Sequence, residues 1–201
     1  MITLIDYGIG NLRSVQKALE AIGADVCLTS QKDEILGAEK AVLPGVGAFG
    51  DGMQGLRQRG LLPVIESLVD RGTPLLGICL GMQLLFETSF ERGEHRGLGF
   101  LPGRVMAFES DRLKIPQTGW NQILPERDSI LLDGIPEGSY AYFNHGFYCQ
   151  PADEEIIVAS TEYAVRYASM VARGKLYGVQ FHPEKSQSVG LQILKNFVED
   201  G

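Results

Sequence analysis

Apolar residues along the first half of the chain come in short runs separated by amphipathic stretches, the alternating rhythm of strand and helix. Ile2 to Asp6, Asp25 to Thr29, Lys40 to Leu43 and Pro74 to Ile78 read as strands. From Asn11 to about Ile22 the apolar positions Leu12, Val15, Leu19 and Ile22 follow the three-and-four spacing of a helix with one buried stripe, and Asn11 stands where an N-cap belongs. Helical stretches lie between Asp51 and Arg71, with Pro63 opening a second helix rather than sitting inside one long one. Another helix opens at Gly81 and runs through Leu84, Leu85 and Phe86. After about Gly97 the rhythm changes to short strands broken by glycine, proline and acidic turns. Tyr163 to Ala172 and Leu176 to Phe181 are spaced as a hairpin around Arg173-Gly174-Lys175, and a last helix covers about Ser188 to Val198. No repeat or linker interrupts the pattern. It predicts one α/β domain over residues 1–201, with a mixed, mostly parallel central sheet flanked by helices.

Composition narrows the function. A chain of 201 residues that is 44% hydrophobic can bury the core of one domain. The formal net charge of −7 leaves no basic stripe to neutralise phosphates, so nucleic acid is not an expected partner. Three cysteines at unpatterned spacing make neither a disulfide framework nor a metal site, so no metal or other cofactor is expected and free thiols point to the cytoplasm. The N-terminus lacks a positive leader segment and breaks its apolar run at Asp6, reading as a first strand rather than a signal peptide. No run reaches membrane-spanning length, so no membrane association is expected.

The most informative segment is Gly77-Ile78-Cys79-Leu80-Gly81-Met82-Gln83, where a strand runs into a helix. This is the layout of a nucleophile elbow with cysteine in the attacking position: a sharp strand-to-helix turn, small neighbours on both sides, and a helix N-terminus that favours a thiolate. The pattern G-x-C-x-G is short enough to recur by chance, and a free cysteine is commonly a small buried hydrophobe, as expected for Cys27 and Cys149. A thiolate also needs a base, and an imidazole needs a group to hold its tautomer. Of the three histidines, His182 ends the strand-like run Leu176 to Phe181 and is followed by Pro183 and Glu184. In extended backbone residues two apart point the same way, so Glu184 is expected to address the site His182 addresses. His95, in the charged stretch Glu91 to Arg96, reads as a solvated loop residue. His145 lies among aromatics near a turn and suits either packing or a pocket wall.

Together the elbow and Gly178-Val179-Gln180-Phe181-His182-Pro183-Glu184 resemble the class I, triad-type glutamine amidotransferases. Ile5-Asp6-Tyr7-Gly8-Ile9-Gly10-Asn11, Leu43-Pro44-Gly45-Val46-Gly47-Ala48-Phe49, Gly119-Trp120-Asn121 and His182-Pro183-Glu184-Lys185-Ser186 are similar to the branch of glutaminase subunits that serve imidazole glycerol phosphate synthase. The resemblance spans essentially the whole chain and implies a flavodoxin-like fold with Cys79, His182 and Glu184 as a catalytic triad acting on L-glutamine. An oxyanion needs backbone donors. Leu80, directly after the nucleophile, is one. The stretch Pro44 to Gly47 is expected to supply the other, and the resemblance implies that the peptide around Val46 reorients to complete the hole. Without the family, these glycines read as a tight turn. The resemblance further implies that Gln83 and Glu91, with backbone from Gly47, His145 and Gly146, bind the amino-acid end of the substrate. Taken alone, Gln83 is a polar helix position and Glu91 a loop charge. It also implies a cyclase subunit of (β/α)8-barrel fold as partner in a heterodimer, with Trp120, Asn121, Tyr142 and Lys185 at or near the interface. A lone tryptophan is otherwise more often core.

Two segments depart from the family's commonest wording. Pro116-Gln117-Thr118-Gly119-Trp120-Asn121 stands where Pro-His-Met-Gly-Trp-Asn is usual, and Tyr142-Phe143-Asn144-His145-Gly146-Phe147 where Tyr-Phe-Val-His-Ser-Tyr is usual. These changes leave the triad intact and bear on the partner and pathway. The competing readings are a glutaminase of another amidation pathway, a cysteine hydrolase or chaperone of the same architecture, and a non-catalytic docking subunit; the last would have announced itself by a missing triad member.

Overall fold

A computed structural model describes residues 1–201. Its first half winds β1 (Ile2–Ile5), α1 (Leu12–Ala21), β2 (Val26–Thr29), α2 (Lys32–Leu36), β3 (Lys40–Leu43), α3 (Phe49–Gln58), α4 (Leu62–Asp70), β4 (Leu75–Ile78) and α5 (Leu80–Leu84). A run of shorter strands follows: β5 (Phe86–Ser89), β6 (His95–Arg96), β7 (Leu101–Ala107), β8 (Gln117–Gln122), β9 (Leu124–Pro125), β10 (Tyr140–His145), β11 (Phe147–Pro151), β12 (Ile157–Tyr163), β13 (Val165–Arg173) and β14 (Leu176–Val179). Helix α6 (Gln187–Asp200) closes the chain.

The parallel core of the sheet has the order β2-β1-β3-β4-β14, and β13, β11, β7, β5 and β6 extend it beyond β14. Strands β1, β4 and β14 are buried at every position, because helices cover both faces of a parallel sheet. Ile35, Leu56 and Ile65 of α2, α3 and α4 pack on one face, and Val15, Leu19, Ile193 and Phe197 of α1 and α6 on the other. Each such side chain contributes roughly 1.5–3 kcal/mol by leaving water. No helix is long and apolar enough to cross a membrane.

Some expected elements differ. The helix after the elbow ends at Leu84, and Phe86 opens β5. Its continuation is captured by tertiary bonds: the Leu84 carbonyl accepts from Leu98 N at 2.9 Å, and the Leu85 carbonyl from Phe100 N and Leu101 N at 2.9 and 3.0 Å. Asn11 occupies the N-cap of α1, but its side chain makes no capping bond. Cys27 is only half-buried, since β2 is the edge of the sheet. His95 lies in β6 and packs on Gly50 rather than in a loop. Strand β14 stops at Val179, so His182-Pro183-Glu184 is not extended. Pro183 starts a 3-10 turn over Pro183–Lys185, closed by Lys185 N donating to the His182 carbonyl at 3.0 Å.

Beside the main sheet, β8 and β10 form a separate antiparallel ribbon in which Trp120 faces Tyr142 and Gln117 faces His145.

Candidate active site

Cys79 sits between β4 and α5 with φ 52° and ψ −109°, a backbone conformation rare for a residue with a side chain. Two glycines make this elbow possible. A Cβ on Gly81 would lie 1.8 Å from the Leu43 carbonyl oxygen, and one on Gly77 would lie 2.7 Å from the Met82 nitrogen. Cys79 N donates to the Val179 carbonyl at 2.8 Å, which ties the elbow to the end of the adjacent parallel strand. Three residues past Val179 comes His182. Two neighbouring strands thus deliver the sulfur and the imidazole to the same carboxyl edge of the sheet.

His182 Nδ1 and Glu184 Oε1 pair at 2.9 Å, their side chains 3% and 1% exposed. Burial alone would lower the imidazole pKa, but its hydrogen bonds to the Cys79 sulfur and the Glu184 carboxylate and the charges of both overcome it, and it is pushed up to about 10. The imidazole is held between a sulfur and a carboxylate, and both favour its cationic form. Glu184 Oε2 is enclosed and has no partner.

A cavity of about 580 Å³ opens over Cys79, and Val46, Gly47, Leu80, Gln83, Glu91, His145, Gly146, His182 and Lys185 are all in its wall. Gly47 holds φ +95° with open space where a Cβ would be, so its backbone angle alone demands glycine. Val46 is 38% exposed. Leu80 N donates to the Gly45 carbonyl at 3.3 Å, so a backbone oxygen takes up the amide expected to face an oxyanion. Glu91 is not a free loop charge: its Oε2 accepts from Phe49 N at 2.7 Å, at the N-terminus of α3 where a carboxylate is favoured. His145 is buried, with burial and then the nearby His182 charge lowering its pKa to about 4 against a partial counter-effect from its bond to the Phe147 carbonyl. It is a neutral wall residue.

Trp120, Asn121 and Tyr142 lie outside the cavity wall. Trp120 is 48% exposed, edge-on to Tyr142 with ring centroids 6.1 Å apart, and Lys185 Nζ stands 5.7 Å over the Tyr142 ring. Asn121 donates to the Glu162 carbonyl at 2.9 Å. The departures from the family wording pair with one another on the ribbon. Thr118 Oγ1 donates to Asn144 Oδ1 at 3.2 Å, while Gln117 faces His145 and contacts the Tyr167 hydroxyl at 2.9 Å. Sequence reasoning passed over Gln180, which is fully buried with Nε2 3.8 Å from Cys79 Sγ. Its position two residues before His182 was the available signal. No group of three or more His, Cys, Asp or Glu side chains could hold a metal ion.

This elbow, paired imidazole and open cavity on a flavodoxin-like sheet belong to a recognisable class. The family model of class I glutamine amidotransferases matches residues 3–200, and the chain belongs to that family. Among curated relatives, the imidazole glycerol phosphate synthase subunit HisH of Moorella thermoacetica is 50% identical over 198 residues, covering 98% of this chain and 94% of that protein. The protein of the same name from Geobacillus kaustophilus is 50% identical over 203 residues, 98% of this chain and 96% of its own. Both names describe a subunit of a larger enzyme. The fold recurs in a crystallised glutamine amidotransferase, with a TM-score of 0.77 at 18% identity, covering 98% of this chain and 97% of that one. It recurs again in PurLQS from Thermotoga maritima, with a TM-score of 0.76 at 21% identity, covering 98% and 96%.

Proposed function

We propose that this chain is the glutaminase subunit of an imidazole glycerol phosphate synthase, hydrolysing L-glutamine and passing the ammonia to a cyclase subunit of (β/α)8-barrel fold. The observation that carries the chemistry is that Cys79 and His182 share one cavity wall with Glu184 paired to the imidazole, and half-identity to the HisH subunits supports the pathway.

In this reading the Cys79 sulfur attacks the side-chain carbonyl carbon of glutamine, and the carbonyl π electrons move to oxygen. The tetrahedral oxyanion collapses, the carbon–nitrogen bond breaks, and the His182 imidazolium gives its proton to the departing nitrogen, releasing ammonia and leaving a thioester. Neutral His182 then takes a proton from water, whose oxygen attacks the thioester. The carbon–sulfur bond breaks and glutamate leaves. Glu184 holds the imidazole and stabilises its cationic form. Gln83 and Glu91, with Gly47, His145 and Gly146, hold the amino-acid end of the substrate.

The oxyanion hole is shut in this conformation by the Gly45 carbonyl on Leu80 N. Rotating the single peptide between Gly45 and Val46 removes that oxygen and turns the Val46 N–H inward, assembling two donors in one move. Exposure of Val46 leaves room for it. Ammonia released to neutral water is protonated and lost, so activity on partner binding is the useful design. Leu113, Trp120 and Val165 are exposed and line one open groove, and Trp120, Tyr142 and Lys185 link that surface to the cavity rim. Asn121 lies beside them. The three free thiols suit a cytoplasmic enzyme.

The test is Cys79→Ala in the complex reconstituted with the cyclase. Glutamine-dependent turnover is expected to fall by at least about a thousandfold while ammonium salts still support the cyclase. Retained glutamine turnover removes Cys79 as nucleophile.

A further inference from the structure

The Phe147 carbonyl dictates the orientation of two buried amides. It is an acceptor only, and it receives His145 Nδ1 at 2.7 Å and Gln83 Nε2 at 3.1 Å. His145 must therefore carry its proton on Nδ1, and Gln83 must turn its NH₂ group toward Phe147. The second N–H of Gln83 reaches Gln180 Oε1 at 3.1 Å. With its oxygen so engaged, Gln180 can present only its NH₂ to the far side, where Cys79 Sγ lies 3.8 Å away. Turning Gln83 over would set its oxygen against the Phe147 carbonyl oxygen, and turning Gln180 over would set its NH₂ against that of Gln83. Gln83 is left with Oε1, an acceptor without a protein partner, at the cavity wall.

We propose that Gln180 is a catalytic residue whose amide N–H stabilises the Cys79 thiolate, its orientation set by Gln83 and the Phe147 carbonyl. This rests on Cys79 being the nucleophile. The Gln180 side chain is fully enclosed, so its bond to a developing sulfur charge is made in a medium where it counts for more than in water. A sulfur contact of 3.8 Å at rest has room to tighten as charge develops. Substrate is coupled to the sulfur through the same amides. A donor from the substrate on Gln83 Oε1 polarises that amide, strengthens its bond to Gln180, and so strengthens the bond from Gln180 to the sulfur. Of the ionisable groups around the sulfur, His182 is the paired cation, Tyr7, Tyr167 and Cys149 have pKa values that burial raises so that they stay neutral, and Glu91, Arg92 and Lys185 stand in the same cavity wall.

The experiment is alkylation of the full chain by iodoacetamide across pH, followed by mass spectrometry of the Cys79 peptide so that Cys27 and Cys149 do not interfere. Gln180→Met keeps the length of the side chain and removes the donor. The pH midpoint of alkylation is expected to rise by about one unit, so that at pH values below the midpoint alkylation slows about tenfold. Gln83→Met is expected to move the midpoint in the same direction by less, although Gln83 makes no side-chain bond to the sulfur, and to raise KM for glutamine. The double variant is expected to alkylate like Gln180→Met alone, because Gln83 reaches the sulfur only through Gln180. A wild-type profile in Gln180→Met, or additive effects in the double variant, overturns the relay. Should Gln180→Met fail to fold, an unshifted midpoint in Gln83→Met does the same. Glutaminase activity in Cys79→Ala is the separate result that removes the nucleophile itself.

Discussion

The parallel strands and the β8–β10 ribbon are both built from short segments, yet they hold their residues on different terms. Along β1, β4 and β14 every side chain is buried, with helices above and below. Along the ribbon burial alternates: Ala141, Phe143 and His145 face inward, while Trp120, Tyr140 and Asn144 face out. The first arrangement leaves no slack at the strand ends, where strained Cys79 and the His182 turn sit. The second leaves Trp120 and Tyr140 exposed on its outward face. A cycle of hydrogen bonds ties the ribbon to the turn that carries the imidazole. His182 N donates to the Tyr142 carbonyl at 2.9 Å, Tyr142 N donates to Ser186 Oγ at 2.9 Å, and Ser186 Oγ donates to the His182 carbonyl at 2.7 Å. A displacement of the ribbon is thus felt at the imidazole. In the proposed function, chemistry lives on the rigid half and partner contact on the adaptable one.

Breaking the rigid half should be drastic. In Gly81→Ala the new methyl meets the Leu43 carbonyl at 1.8 Å, and backbone on both sides leaves no flexible atom to give way. The expected cost is more than about 4 kcal/mol, a large fraction of the stability of a typical domain. Urea denaturation measures it, and a midpoint close to that of the parent chain would show that the elbow is looser than its contacts imply.

A smaller effect is expected where the two regions meet. His145 is held neutral, its pKa lowered from 6.5 to about 4. The unfolded chain takes up a proton below about pH 6.5 and the folded chain does not until about pH 4, so stability is full above pH 6.5 and falls as pH drops toward 4. The loss amounts to about 3 kcal/mol over that window. His182 works in the opposite sense. Raised to about 10, it contributes stability below pH 6.5 that is lost as pH rises toward 10. His145→Asn keeps a donor for the Phe147 carbonyl and cannot titrate. Its stability should depend less steeply on pH between 6.5 and 4 than the parent's, by about one proton. Parallel slopes for the two proteins in denaturant titrations at several pH values would remove His145 as the source.

The same contrast governs what was legible in the sequence. Parallel strands buried on both faces appear as unbroken apolar runs, so β1, β3 and β4 were readable within a residue or two, and Pro63 marked the start of α4. The ribbon was not readable. Its segments carry glycine, asparagine and threonine, and their partners lie far away in sequence, Tyr140 opposite Gln122 and His145 opposite Gln117, so pairing depends on tertiary context that no local pattern encodes. Phe86 was misassigned to the helix because an apolar run cannot say where tertiary hydrogen bonds will capture it. His182 and Glu184 were read as neighbours for the wrong local reason, extended backbone, when a proline-initiated turn brings them to 2.9 Å. Gln180 stayed hidden because its meaning depends on which way two amides face, and that is settled by a carbonyl in a distant strand.

The gentlest intervention is expected at Trp120. Its side chain is 48% exposed and touches Tyr142 edge-on, so truncation removes little buried area from the isolated chain. Trp120→Ala should change the stability of the free subunit by no more than about 0.5 kcal/mol. In the complex the same change should cost about 2 kcal/mol, or roughly thirtyfold in affinity, because a half-exposed tryptophan is fully desolvated only when the partner covers it. Denaturant melts of the free chain and titration of the cyclase against both versions separate the two quantities. Unchanged affinity would move the interface off the ribbon. A large loss of stability without partner would mean that the ribbon is as tightly held as the parallel strands, and the division between a rigid half and an adaptable one would have to be given up.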